Sequence, residues 1–138
     1  LKFQKYGIKN DVSLHLEKTP NLAPHHSKFL NLFRFPFFWG DGNEIAETKQ
    51  NWTMDNSSYH VNGLKIFYFH PIHIFLNSKN WNNYNLIKTK IGLSHMTLEN
   101  SQPYINVNDG TGTLFENITT FLENKQSFTI ENLQEYYF

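Results

Sequence analysis

Cysteine is absent from these 138 residues. That removes disulfides, thiolate nucleophiles and cysteine-based zinc sites from the available chemistry, and it fits a reducing compartment. The expected location is cytoplasmic, with an extracytoplasmic one left open. Net charge is absent too: 12 basic and 12 acidic side chains cancel. The sequence therefore carries no electrostatic footprint for a nucleic-acid backbone or an anionic membrane. No apolar run approaches the roughly 20 residues that cross a bilayer. The opening stretch LKFQKYGIKN lacks the apolar core and small-residue cleavage site of a signal peptide. Internal repeats are also missing. Because the first residue is Leu rather than Met, we expect a chain trimmed from a longer one.

What the sequence has in quantity is aromatic surface, with 13 Phe, 7 Tyr and 3 Trp. Such a chain can bury a substantial core, which sets it apart from disordered sequences. The length suits one small domain or part of a larger one. Asn is abundant as well. The Asn-x-Ser/Thr triplets at Asn51, Asn56 and Asn117 are expected by chance in so Asn-rich a chain.

Along the chain, the alternation Val12, Leu14, Leu16 predicts a half-buried strand. EKTPNLAPHHSK reads as a loop punctuated by Pro20 and Pro24. FLNLFRFPFFW is apolar, but Pro36 opposes a central, fully paired strand. GDGNE then reads as a turn, and residues 45–59 as polar surface. GLKIFYF predicts a strand buried on both faces, as in a parallel sheet, with regular pairing ending at His70 because Pro71 cannot donate. Residues 78–110 are weakly patterned, with a short helix in WNNYNLIKTKI. The clearest helix carries Leu114, Phe115, Ile118, Phe121 and Leu122 on one face, with Thr113 and Glu116 at capping-box spacing. SFTI reads as a short strand and ENLQEYYF as a helix. Strand, helix, strand, helix in order predicts an α/β architecture.

The stretch KIFYFHPIHIFLN concentrates the candidate chemistry. In α/β sheets and barrels, ligands bind beyond the carboxyl ends of the strands, where a histidine can act as general acid or base. His70 holds that position; the alternative is a histidine whose ring nitrogens meet backbone or water. An unbroken strand would put His73 on the opposite face, and only a bend at Pro71 would bring the two rings together. The His-x-x-His spacing is not that of a zinc-protease helix, which needs i and i+4 plus a glutamate, and Pro71 opposes a helix. Asp41 in FFWGDG is either a turn aspartate or a carboxylate at a pocket mouth, orienting a histidine or holding a metal. His25 and His26 read as exposed loop, and His15, His60 and His95 have no supporting context. NDGTG, with Asp109, Gly110 and Gly112, reads as the loop leading into a helix, since it lacks a phosphate-loop lysine.

Four segments together resemble the C-terminal half of polysaccharide deacetylase-like domains, the carbohydrate esterases related to chitooligosaccharide deacetylases. YGIKNDVSL is similar to that family's Gly-x-x-x-Asp-Ser-Ser stretch. FRFPFFWGDG resembles the Pro-aromatic-Trp-Glu-Asp-Asp segment of a subgroup tied to bacterial surface-polysaccharide clusters. FHPIHIFLN resembles that subgroup's late strand, and GTLFENITTFLENKQSFTIENLQEY its closing helix, strand and helix.

The resemblance implies a single partial domain over residues 1–138, the C-terminal part of an irregular (β/α) barrel. It implies removal of acetyl groups from a sugar or surface polysaccharide with a divalent metal, usually zinc, that polarises the carbonyl and activates water. It makes His70 the general acid that protonates the leaving group, and Trp39, Asp41 and His73 pocket or substrate contacts. The sequence departs from the pattern at two points. It has no counterpart of the family's metal-binding Asp and His-x-x-x-His pair, so the metal ligands are unknown. It also reads WGDG for WEDD. The competing expectation is a non-catalytic carbohydrate-binding or assembly module that keeps the fold without the metal. A third is a barrel fragment with no function of its own.

Overall fold

In a computed structural model the chain is described over residues 5–138. The first four residues of LKFQKYGIKN, part of the stretch read above for signal-peptide features, lie outside it. The chain forms two compact units. The first comprises the chain through Trp39, Ser57–Tyr68 and Asn124–Phe138; the second comprises Gly40–Asn56 and Phe69–Glu123.

The first unit holds a three-stranded sheet of Asn10–Asp11 (β1), His25–Ser27 (β2) and Leu32–Arg34 (β3) in the order β1-β3-β2. β1 runs parallel to β3, and β2 antiparallel to it. β3 is central but stops before Pro36, where a missing N–H would break the ladder. Beyond β1 the chain still follows its neighbour: Phe37 N–H donates to Leu14 C=O and Leu16 N–H to Phe37 C=O. The expected strand is thus largely an irregular ribbon, and its apolar residues are not half-buried as a set, since Val12 and Leu16 remain exposed. His25 and His26 belong to β2 rather than to a loop, and His26 stacks on Phe33 at 4.4 Å between ring centroids. The core of the unit gathers Leu22, Leu32, Phe35, Phe38, Trp39, Tyr59 and Leu64. The helix Ile130–Tyr137 packs Leu133 inward.

Trp39–Gly40 (β4), where the chain passes from one unit to the other, pairs with Phe67–Tyr68 (β5). The strand expected to be buried on both faces is therefore two residues long, with Phe67 half-buried and Tyr68 exposed. Mixed α/β character is observed, but the described residues form no closed barrel.

The second unit is helical. GDGNE, expected as a turn, opens helix α1 (Asp41–Ala46), which buries Asp41, Glu44 and Ile45. Residues 45–59 are not uniformly surface either. Trp52 is 4% exposed, and the buried Glu44 carboxylate accepts from the Asn51 N–H at 2.6 Å. Helices α2 (Pro71–Phe75), α3 (Trp81–Lys90), α4 (Leu98–Ser101) and α5 (Thr111–Leu122) follow. On α5, Leu114 and Ile118 are buried while Phe121 and Leu122 stay exposed. Its N-cap is Gly110, without a side-chain cap, so Thr113 lies inside the helix and the expected capping box does not form. SFTI forms no strand, and Thr129 there caps the last helix, α6 (Ile130–Tyr137), by accepting from the Asn132 N–H.

Candidate active site

Pro71 decides the local geometry. As the first residue of α2 it has no N–H to leave unpaired, and its fixed φ suits a helix start. The residue before a proline is held extended, and His70 has φ −90° and ψ 127°. The His70 carbonyl then accepts from the N–H groups of His73 and Ile74, closing the first turn. The proline that was expected to oppose a helix begins one. That turn, rather than a bent strand, brings the two rings to a 5.5 Å centroid separation.

Asp41 begins α1 and is fully buried. Its carboxylate grips His70 at both available donors: Oδ2 accepts from the backbone N–H at 2.6 Å, and Oδ1 lies 2.6 Å from ring Nδ1. A carboxylate against Nδ1 fixes that nitrogen as the N–H. Proton exchange with a ligand then falls to Nε2, on a side chain that is 43% exposed. Gly42 lies beside the ring, where an added Cβ would make ordinary van der Waals contact with His70 Cε1 at 3.7 Å.

His73 sits behind this pair. It is 3% exposed, and its Nδ1 is 3.1 Å from Ser78 Oγ. Burial pushes its pKa below the usual histidine value; the Asp41 charge pulls it back up and His70 pushes it further down. Trp81 and Tyr84 of α3 pack edge-on to the His73 ring, at 5.3 and 5.1 Å.

Of the expected contacts, Asp41 and His70 come together. Asp41 itself is enclosed and bonded to His70, so its carboxylate is not an open surface for a ligand. His73 is likewise sealed within the unit. Trp39 is 0% exposed and packs against Phe67 in the first unit, so no face of its ring is open to a sugar. His15 lies stacked on Phe37 in that unit, and Asp109, Gly110 and Gly112 serve the start of α5. The first unit also has a cavity of about 560 Å³ that includes Asp11, Arg34, Phe37 and Tyr68 in its lining. Arg34 Nε donates to Asp11 Oδ2 at 2.8 Å and Ser13 donates to Asp11 Oδ1, so those polar groups satisfy one another.

Among the described residues no three His, Asp or Glu side chains come together to hold an ion. Both Asp41 oxygens are engaged by His70, and the ring nitrogens Nδ1 of His70 and His73 face Asp41 and Ser78. The residues present do not fit a metal centre.

Residues 1–88 match the sequence profile of WbmS-like polysaccharide deacetylases, well over half of the chain. The chain belongs to that family. No curated protein matches the sequence as a relative. A crystal structure from Bordetella bronchiseptica, of a candidate polysaccharide deacetylase involved in O-antigen biosynthesis, has the same fold, with a TM-score of 0.71 at 18% identity. The likeness covers 86% of this chain and 48% of the other, so this WbmS-like chain spans about half the length of that structure. The family is the one the resemblance suggested, and three of its four segments lie within the matched residues, the closing one beyond them. Nothing in the sequence marks Trp81 as exposed, since a tryptophan among asparagines carries no signal of its surroundings.

Proposed function

We propose that this chain supplies the proton-donating side of a polysaccharide deacetylase acting on an acetylated surface polysaccharide. The observation that carries the reading is the double grip of the buried Asp41 carboxylate on His70, 2.6 Å at the backbone N–H and 2.6 Å at Nδ1. It sets tautomer, ring plane and backbone together, as a general acid requires. Family membership supports the substrate class.

In the reaction, water adds to the acetyl carbonyl as a base outside the described residues takes its proton, the bond from the acyl carbon to the sugar nitrogen or oxygen breaks, and acetate departs. His70, carrying a proton on each ring nitrogen, delivers the one on Nε2 to the leaving atom, while Asp41 holds the other at Nδ1. The divalent ion that the resemblance implies would supply carbonyl polarisation and water activation, and its ligands would have to lie outside the described residues.

The test is acetate release from acetylated oligosaccharides by the full natural polypeptide that carries this chain. His70→Ala is expected to lower kcat by about 10²–10⁴-fold. Release that survives this substitution sinks the acid role. Sugar binding without any release, unaffected by a chelator, would instead identify a non-hydrolytic carbohydrate-binding module.

A further inference from the structure

Of the three tryptophans, two are enclosed, Trp39 at 0% and Trp52 at 4% exposure, while Trp81 is 38% exposed. It opens α3 directly after Asn80, whose side chain caps the helix by accepting from the Asn82 N–H at 2.9 Å. The indole is therefore fixed at its root by a capped helix start, and the remaining question is what its open surface is for.

Its neighbours favour recognition. Trp81 meets His73 at 5.3 Å with planes 75° apart, and Tyr84 at 5.9 Å with planes 65° apart. Both contacts are edge-type, so neither ring lies flat on the indole. His73 in turn stands 5.5 Å from His70. An exposed tryptophan is thus separated by one buried ring from the histidine that Asp41 orients. All five side chains belong to the second unit. A sugar ring presents an apolar C–H face and a polar rim, and an indole of this kind offers a matching apolar face with an N–H at its edge. Specific sites pair such surfaces with a few placed polar groups.

We propose that Trp81, buttressed by Tyr84, is the platform on which one pyranose ring of the polysaccharide rests while a nearby acetylated unit is presented to His70. The inference rests on the carbohydrate-acting reading above, but it concerns binding rather than proton transfer. Trp81 sets where the chain of sugars lies. His73 transmits its position to His70 only as packing, since it is sealed from solvent.

The experiment titrates the full natural polypeptide with acetylated hexosamine and acetylated hexuronate oligosaccharides, following Trp emission and acrylamide quenching. Subtracting the Trp81→Phe signal isolates this indole. Sugar is expected to shield Trp81 from quencher. Trp81→Ala is expected to raise Kd and KM about tenfold, with kcat changed by much less, and Trp81→Phe is expected to retain most of the affinity. Unchanged Kd in Trp81→Ala, equal losses in the Ala and Phe variants, or no sugar-dependent shielding across the whole panel overturns the platform. Shielding needs no truncated variant, so a folding defect in Trp81→Ala leaves the question decidable. The two readings also fail separately. Binding through Trp81 without acetate release leaves the platform standing and removes the hydrolase, whereas release that depends on His70 but not on Trp81 does the reverse.

Discussion

At the scale of single residues the decisive chemistry is the burial of one carboxylate. Asp41→Asn keeps the size of the side chain but replaces one acceptor oxygen with an N–H₂ group; with the remaining oxygen on the His70 backbone N–H, that amide donates to Nδ1 and the ring proton moves to Nε2. The hydrogen bonds survive in the other tautomer, but the negative charge that steadies a doubly protonated ring is gone. The variant is expected to keep most of its melting temperature and to lose activity by about 10²-fold or more; thermal denaturation and acetate release measured side by side check both. His73 makes a different prediction. Because burial holds its pKa below the ordinary 6.5, the unfolded chain binds its proton first as pH falls. Stability from this residue is complete above about pH 6.5 and declines as pH drops from there towards the lower folded value. His73→Gln keeps a hydrogen-bonding group near Ser78 without titrating. Its melting temperature is expected to vary less than that of the wild type between about pH 7 and pH 5. The sequence marked His70 through its place after an apolar run and Asp41 through its aromatic neighbours. It could not show that Trp39 is enclosed and Trp81 open, since the same residue type serves both ends.

At the scale of elements, the loop from Asn106 to Gly110 and the start of α5 are sewn to the end of α2. Asn77 takes a positive φ of 45° just past that helix, a conformation Asn accepts better than most residues. Its amide donates to the carbonyls of Asn106 and Asn108, at 3.0 and 2.7 Å, and accepts from the Thr113 N–H at 3.1 Å. Asn106 returns a bond to the Asn77 carbonyl at 2.9 Å. Gly110 lies so close that a Cβ there would sit 2.2 Å from the same carbonyl oxygen. Gly110→Ala is therefore expected to destabilise by about 1–3 kcal/mol, and Asn77→Ala by a similar amount through its orphaned partners; urea denaturation of each variant measures the loss. NDGTG was legible as a helix-leading loop, but its partner lies over thirty residues earlier and no local signal names it. The same holds for α1: glycines flanking an aspartate signal a turn, and the helix exists because Glu44 and Ile45 find burial. Pro71 was legible as a break in pairing; its second role, starting a helix, needed the structure.

At the scale of the whole molecule, the α/β class and the family were legible because they rest on the order of segments. The extent of regular sheet was not: the strands are only two or three residues long, and alternation such as Val12, Leu14 and Leu16 reports extended chain rather than pairing. The donor set leads to one further expectation. Dialysed against zinc, this 138-residue chain is expected to retain well under one equivalent, because no three His, Asp or Glu side chains come together among the described residues. Elemental analysis decides the point, and a tightly held equivalent would show that its donors rearrange. A last consequence concerns time. Asparagine amides slowly deamidate by attack of the next backbone nitrogen, and at Asn77 that change would exchange the only side-chain donor for an oxygen aimed at two carbonyls. The bonds that make the amide useful also hold it away from that attack, so a preparation kept warm is expected to age first at the exposed Asn62–Gly63 pair and only later at the clasp.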